Sequence, residues 1–315
     1  MDSYPILLAA IVPVFLLMGL GCLFRKLNWL NQEADQALLK LVVNLFYPCL
    51  FLHFLIGNPR AQDLGSISVP PLLGFGSICI GYAVAFAVAR SIGLKRGSGL
   101  RTFAFSGGIY NYGYIPIPLV IALFGDRETT GTLLIFNVGI EVAIWTVGII
   151  LLGGALDRAA LKKLINPPVL ALIAAIGLNF SGLYKVIPQP AFKSIEMLSQ
   201  CAIPIGLVLS GAITYDLIKG RGWLSQPKIH IGAIAVRLLG LPLLFLGVLL
   251  LLPGLSLELK RVLVVQAAMP AGVFPIVLAR HYGGDPSVAV KIVLTTTLGC
   301  FITLPFWIIL GLDLI

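Results

Sequence analysis

Ten stretches of apolar residues, each close to the length of a bilayer-crossing helix, follow one another along this 315-residue chain. A hydrocarbon core about 30 Å thick takes about 20 residues of helix. Windows that meet this fall near 4–24, 37–57, 70–90, 101–124 and 131–153, then near 168–184, 191–213, 229–252, 260–282 and 288–311. The joints are short and carry turn residues: "GNPR" from Gly57, "NPP" from Asn166, "IPQP" from Ile187, "SQP" from Ser225, "LPG" from Leu252 and "GGDP" from Gly283. With 58% hydrophobic and 11% charged residues, the composition lies far from that of a soluble domain. The expected fold is therefore an all-α integral membrane protein of ten transmembrane helices. Only Asp2 precedes the first window, and Arg25 and Lys26 follow it. A cleaved signal carries its positive charge first, so this window is expected to remain as a span.

The lipid bilayer is the implied partner, and the net charge of +9 calls for an explanation by membrane orientation rather than by nucleic acid. Lys and Arg alternate between joints. One set holds Arg25, Lys26, Lys40, Arg90, Lys95, Arg96, Arg101, Arg158, Lys162, Lys163, Lys219, Arg221, Lys228, Arg280 and Lys291. The other holds only Arg60, Arg127, Lys185, Lys193, Lys260 and Arg261, and Arg237 alone sits within a span. Positive loops stay in the cytoplasm, so with ten spans both termini face the non-cytoplasmic side. Cys22, Cys49, Cys79, Cys201 and Cys300 are isolated in apolar surroundings, which supports neither a disulfide framework nor a metal site.

Shifting the sequence by 159 residues lays "IYNYGYIPIPLVIALFGD" (109–126) over "AMPAGVFPIVLARHYGGD" (268–285) without a gap. Gly113 meets Gly272, Pro116 meets Pro275, Ile117 meets Ile276, Leu119 meets Leu278, Gly125 meets Gly284 and Asp126 meets Asp285. "NLFYP" ending at Pro48 and "QCAIP" ending at Pro204 echo each other more weakly. The twins fall in spans four and nine, so the repeat unit is five helices, residues 1–153 and 168–315. An odd number of crossings inverts the second unit. Paired, proline-interrupted helices at matching positions point to a midplane binding site of a secondary transporter. Irregular backbone survives at that depth only when it is buried in protein or lines a cavity. The bland alternative is that Pro116, Pro118, Pro270 and Pro275 merely kink packed helices.

These segments resemble the auxin efflux carrier superfamily, in the compact bacterial branch often labelled malonate or dicarboxylate permeases. The likeness spans the chain. It is carried by "FSGGIYNYGYIPIPLVIALFG", by "QAAMPAGVFPIVLARHYGGDPSVAVKIVLTTTL", and by "NPPVLALIAAI", "IPIGLVLSGA" and "RLLGLPLL". The resemblance implies two inverted five-helix repeats crossing at broken helices four and nine. It also implies a scaffold of spans 1, 2, 6 and 7, and a transport domain of spans 3–5 and 8–10 that moves as an elevator. Further implications are a plasma-membrane location, the bacterial inner membrane for this branch, and small organic anions such as carboxylates or dicarboxylates as substrates. No cofactor is expected. The coupling ion, H+ or Na+, stays open, and a homodimer is among the partners considered. Asn111 and Pro116 match the first crossing, and Met269, Pro270 and Pro275 the second. Tyr112, Tyr114 and the doubled "PIP" depart from the usual pattern, so the resemblance fixes neither pocket size nor substrate identity. The substrate-binding set expected is Asn111, Tyr112, Gly113, Pro116, Met269, Pro270, Gly272 and Pro275.

Glu141 and Arg237 each lie about 14 Å into a span. A charge at that depth marks function or a structural pair. Two readings stand: the two residues pair or bind backbone carbonyls, or Arg237 attracts the anion and Glu141 carries a coupling proton. Asn137, Gln266 and Thr296, with Thr295 and Thr297, either brace helices or line the site. Asn44 and Gln200 precede matched prolines and are expected to cap or brace their helices. His53, His230 and His281 receive no proton-transfer role. "FSGG" contains a serine followed by glycines, yet no histidine is placed for a Ser-His pair and no HExxH motif occurs. The chain is therefore not expected to be an enzyme; an anion channel is the nearer alternative to a carrier.

Overall fold

The computed structural model describes residues 3–155, 158–220 and 222–315. Asp2 and Arg221, both used in the charge reading, lie outside them. Among the described residues every regular element is helical, and the β-pairing is one isolated antiparallel bridge between Tyr110 and Ala271. The helices are α1 (Ser3–Lys26), α2 (Gln32–Leu55), α3 (Leu64–Ser91), α4 (Leu100–Gly108), α5 (Pro116–Phe124), α6 (Arg127–Gly153) and α7 (Arg158–Lys162). They continue as α8 (Pro167–Ser181), α9 (Gln189–Lys219), α10 (Pro227–Leu251), α11 (Leu257–Ala267), α12 (Phe274–His281) and α13 (Pro286–Leu312). Seven of them, α1, α2, α3, α6, α9, α10 and α13, are long and apolar enough to cross a membrane. The sixth window is the shorter α8, of 15 residues. The fourth and ninth windows are each split in two, α4 with α5 and α11 with α12.

Helix ends follow their capping chemistry rather than the edges of the apolar windows. α2 begins five residues before its window because Asn31 accepts the Ala34 N–H at 2.8 Å, which makes a helix of the polar "QEADQ". Asp63 does the same for α3 by accepting the Ser66 N–H at 2.7 Å, and that bond holds its carboxyl below the usual carboxylate range. Three spans contain π-helical segments: Val42–Phe46 in α2, Ile144–Gly148 in α6 and Ile234–Gly240 in α10. In α2, Pro48 follows the π segment without an N–H to donate, and the Asn44 amide donates to the Lys40 carbonyl at 2.8 Å. Asn44 is thus a brace.

Two helix pairs approach most closely, at backbone distance. A Cβ on Gly139 of α6 would lie 1.8 Å from the Pro71 carbonyl oxygen of α3, and one on Gly74 would lie 2.2 Å from that of Phe136. The same relation binds α1 to α9, through Gly21 against Val208 and Gly211 against Met18, at 2.0 and 1.9 Å. Without a hydrophobic drive between helices in lipid, such small residues bring backbones into van der Waals contact. α2 packs between α8 and α9, while α4 lies on α3 and against α13.

The helix ends are laced by polar contacts. Arg25 of α1 bonds the Leu30 carbonyl at 2.6 Å, the Asp35 carboxylate of α2, and Asp216 of α9 at 3.1 Å. Elsewhere Arg60 bridges to Glu258 at 2.7 Å and Arg261 to Asp126 at 2.9 Å, and Arg127 donates to the His53 and Ile56 carbonyls at the end of α2.

Candidate functional site

The two broken windows meet at their breaks. α4 stops at Gly108, and the chain passes through the bridge at Tyr110 and a turn over Tyr114 and Ile115 before Pro116 opens α5 at a position whose N–H would be unpaired in any case. α11 ends at Ala267 and α12 opens at Phe274 with Pro275 in its first turn. Between them, Asn111 donates its main-chain N–H to the Pro270 carbonyl at 2.8 Å, and Gly272 donates to the Ile109 carbonyl at 3.2 Å. The Ala271 N–H, buried, finds the Thr296 hydroxyl at 3.0 Å. The crossing is thereby satisfied from within the protein, as backbone in hydrocarbon must be.

Beside the crossing lies a cavity of about 390 Å³. Asn111, Tyr112 and Gly113 form one side and Gly272, Val273 and Phe274 another. Tyr47 and Phe51 of α2, and Asn137, Glu141 and Trp145 of α6, close the walls. Lys163, Asn166 and the first residues of α8 complete the rim. Three helices, α5, α8 and α12, thus present their N-terminal ends here. The N–H groups of a first helical turn have no intrahelical acceptor, and the helix dipole makes such an end favourable for negative charge. The Asn111 carboxamide accepts from the Gly113 N–H at 3.4 Å, and its amide nitrogen has no acceptor among the described residues.

A polar chain runs along one wall. Gln266 donates to Asn137 at 3.1 Å, and Asn137 donates to the Tyr112 carbonyl at 2.8 Å. The Tyr112 hydroxyl donates to Glu141 Oε1 at 2.6 Å, and Trp145 Nε1 donates to Glu141 Oε2 at 2.9 Å. Glu141 and Arg237 do not pair. The carboxylate is held by Tyr112 and Trp145, whereas the guanidinium, fully buried, sits 5.0 Å over the Tyr110 ring and 5.9 Å from that of Phe245. Neither binds a backbone carbonyl among the described residues. All three guanidinium nitrogens of Arg237 lack a hydrogen-bond partner among the described residues. Tyr110 lines the cavity and bonds Ser77 at 2.7 Å; Arg237 does not reach the cavity.

Of the residues singled out from the sequence, Asn111, Tyr112, Gly113, Gly272, Asn137 and Glu141 line the cavity. Pro116 and Pro275 start their half-helices, Pro270 supplies a carbonyl to Asn111, and Met269 is fully buried; none of these four lines it. Gln266 and Thr296 also stand outside, in bracing roles. Sequence reasoning missed Tyr47, Trp145 and Lys163. Trp145 was findable, since it lies one helical turn from Glu141. Among the described residues no three His, Cys, Asp or Glu side chains gather to hold a metal ion.

Similarity to other proteins places the chain among membrane transport proteins. An uncharacterized transporter of Methanothermobacter thermautotrophicus is 25% identical over 305 residues, covering 94% of this chain and 96% of that one. The uncharacterized transporter MJ1031 of Methanocaldococcus jannaschii is 25% identical over 310 residues, covering 95% and 97%. Protein ECM3 of Saccharomyces cerevisiae is 26% identical over 148 residues, 46% of this chain and 24% of its own length. The family model described as membrane transport protein matches residues 6–158 and 155–308. The chain belongs to this membrane transport protein family, the auxin efflux carrier family.

Proposed function

We propose that this protein is a secondary carrier of small organic anions, carboxylates or dicarboxylates, that binds its substrate in the cavity at the crossing. One observation carries the reading: the Asn111 amide, with no acceptor of its own, faces the same cavity as the first turns of α5 and α12. An amide donor and convergent helix N-termini suit a carboxylate. In this reading the fourth and ninth spans are the broken crossing helices of ten spans arranged as two inverted repeats, 1–153 and 168–315. Spans 1, 2, 6 and 7 (α1, α2, α8, α9) form a scaffold, and the other spans form a transport domain that slides against it as an elevator. The tight α1–α9 and α3–α6 pairings suit two bodies that each move as a unit.

Orientation follows from the cations. The Lys-rich and Arg-rich joints face the cytoplasm, so both termini lie on the non-cytoplasmic side of a plasma membrane. Lys163 and Asn166 at the rim belong to a cytoplasmic joint, which makes this an inward-facing arrangement.

Reconstituted protein in proteoliposomes, offered labelled acetate, malonate or benzoate, tests the reading. Saturable uptake and counterflow of at least one anion are expected, lost in Asn111→Ala while insertion and folding persist. Flux linear in concentration without counterflow identifies a pore, and undiminished transport by Asn111→Ala removes the site from the crossing.

A further inference from the structure

Glu141 places a carboxylate in the wall of a cavity whose other polar features favour an anion. Its surroundings are sharply limited. The ionisable side chains lining the cavity with it are the phenols of Tyr47, Tyr110, Tyr112 and Tyr114 and the ammonium of Lys163; no imidazole and no second carboxylate is among them. Glu141 has no cationic partner among the described residues: Tyr112 and Trp145 are its hydrogen-bond donors, and Arg237 is engaged elsewhere. An indole N–H can only donate, so Oε2 is fixed as an acceptor. A phenol can donate or accept. Oε1 can therefore take up a proton and present it to the Tyr112 oxygen if the Tyr112 hydroxyl turns its own hydrogen away, with no side chain leaving its place. Tyr112 is also part of the crossing loop, next to Asn111 and Gly113, so the protonation state of Glu141 is communicated directly to the residues that would hold the substrate.

From this geometry we infer that Glu141 is the coupling group of the carrier: a proton binds at Glu141 Oε1 as an anion enters, and the two cross together. This rests on the carrier reading above. The physical reason is that two negative charges in one largely apolar-lined cavity disfavour each other, while a proton on Glu141 leaves one negative charge facing the helix N-termini. The balance is simple. An aqueous proton forms the O–H bond at Glu141, the Tyr112 hydroxyl changes from donor to acceptor, and no electron is transferred. For a monovalent anion the loaded site then gains no net charge.

Proton uptake reads this directly. Acetate, malonate or benzoate is added to the protein in nanodiscs at about neutral pH, in weakly buffered solution with a pH indicator, while binding is followed separately by thermal stabilisation. About one proton taken up per anion bound is expected in the wild-type protein, together with a new protonated-carboxyl band in the infrared difference spectrum. Glu141→Gln is expected to bind the same anion without proton uptake and without that band. Its apparent Kd should lose the roughly tenfold rise per pH unit that one linked proton imposes on the alkaline side. Anion binding by the wild type without proton uptake, or equal uptake in Glu141→Gln, overturns the coupling role and leaves the carrier reading standing. If none of the three anions binds the wild type, the carrier reading falls and this inference falls with it. The wild-type measurement holds even if the variant does not fold.

Discussion

The main-chain N–H of Asn111 donates to the carbonyl of Pro270 at 2.8 Å, and these two residues are the very positions that the 159-residue shift lays over each other. The two segments that the shift aligns therefore touch at an aligned pair of positions. The return bond cannot form, because Pro270 has no N–H. The crossing is instead closed on its second side by the Gly272 N–H to the Ile109 carbonyl, and the intervening Ala271 N–H is satisfied by a side chain, Thr296.

Thr296→Val tests that arrangement with little change of shape. The variant removes the acceptor of a buried N–H, and an unsatisfied buried donor costs about 1–3 kcal/mol. The expected outcome is a lowered unfolding temperature in detergent, with transport reduced in proportion to the loss of folded protein. A Thr296→Ser variant, which keeps the hydroxyl, should stay close to the wild type. Loss in Thr296→Ser with none in Thr296→Val would mean that the methyl group and its packing matter, not the bond to Ala271.

Packing between α3 and α6 gives a second prediction. The Gly139 backbone lies so close to Pro71 that any side chain must push the helices apart. Gly139→Ala is expected to destabilise by about 1–3 kcal/mol, the usual cost of overpacking. Gly76→Ala, on α3 where nothing lies within 4 Å of an added Cβ, serves as its control and should unfold at or above the wild-type temperature, because alanine is the better helix former. A thermal scan of both in one detergent decides it.

Much of this was legible in the sequence, and the reasons differ from residue to residue. The long apolar helices declared themselves by length, and the breaks at Pro116 and in the segment from Pro270 to Pro275 by the proline's missing N–H. The α2 start at Gln32 was not, because the capping by Asn31 acts on a polar stretch that an apolar window passes over. Asn111 and Glu141 were recognisable as polar groups where polarity is costly. Their partners were not, since Tyr112 and Glu141 meet only through tertiary packing and Arg237 meets aromatic faces instead of a carboxylate. Lys163 read as a loop cation; its place on the cavity, just after α7, depends on tertiary packing.

Arg237 yields the prediction in which stability and function part company. Its guanidinium is fully buried, has no hydrogen-bond acceptor among the described residues, and is balanced only by the faces of Tyr110 and Phe245. Two such cation–π contacts return about 1–4 kcal/mol when desolvated, less than the several kcal/mol that burying an ion costs. Replacing buried ions by apolar residues of similar volume has stabilised other proteins by about 1–4 kcal/mol. Arg237→Met is accordingly expected to unfold at a higher temperature than the wild type. If the charge is kept because it raises the potential at Tyr110, and so at the cavity, the same variant should bind acetate, malonate or benzoate more weakly. Arg237→Lys should restore part of the affinity, because it keeps the charge without the planar fork. Thermal unfolding and equilibrium anion binding, measured on the three proteins together, check both halves. A more stable Arg237→Met with unchanged anion affinity would deny Arg237 any part in attracting the substrate, and a less stable one would mean that its contacts with the two rings outweigh the cost of its burial.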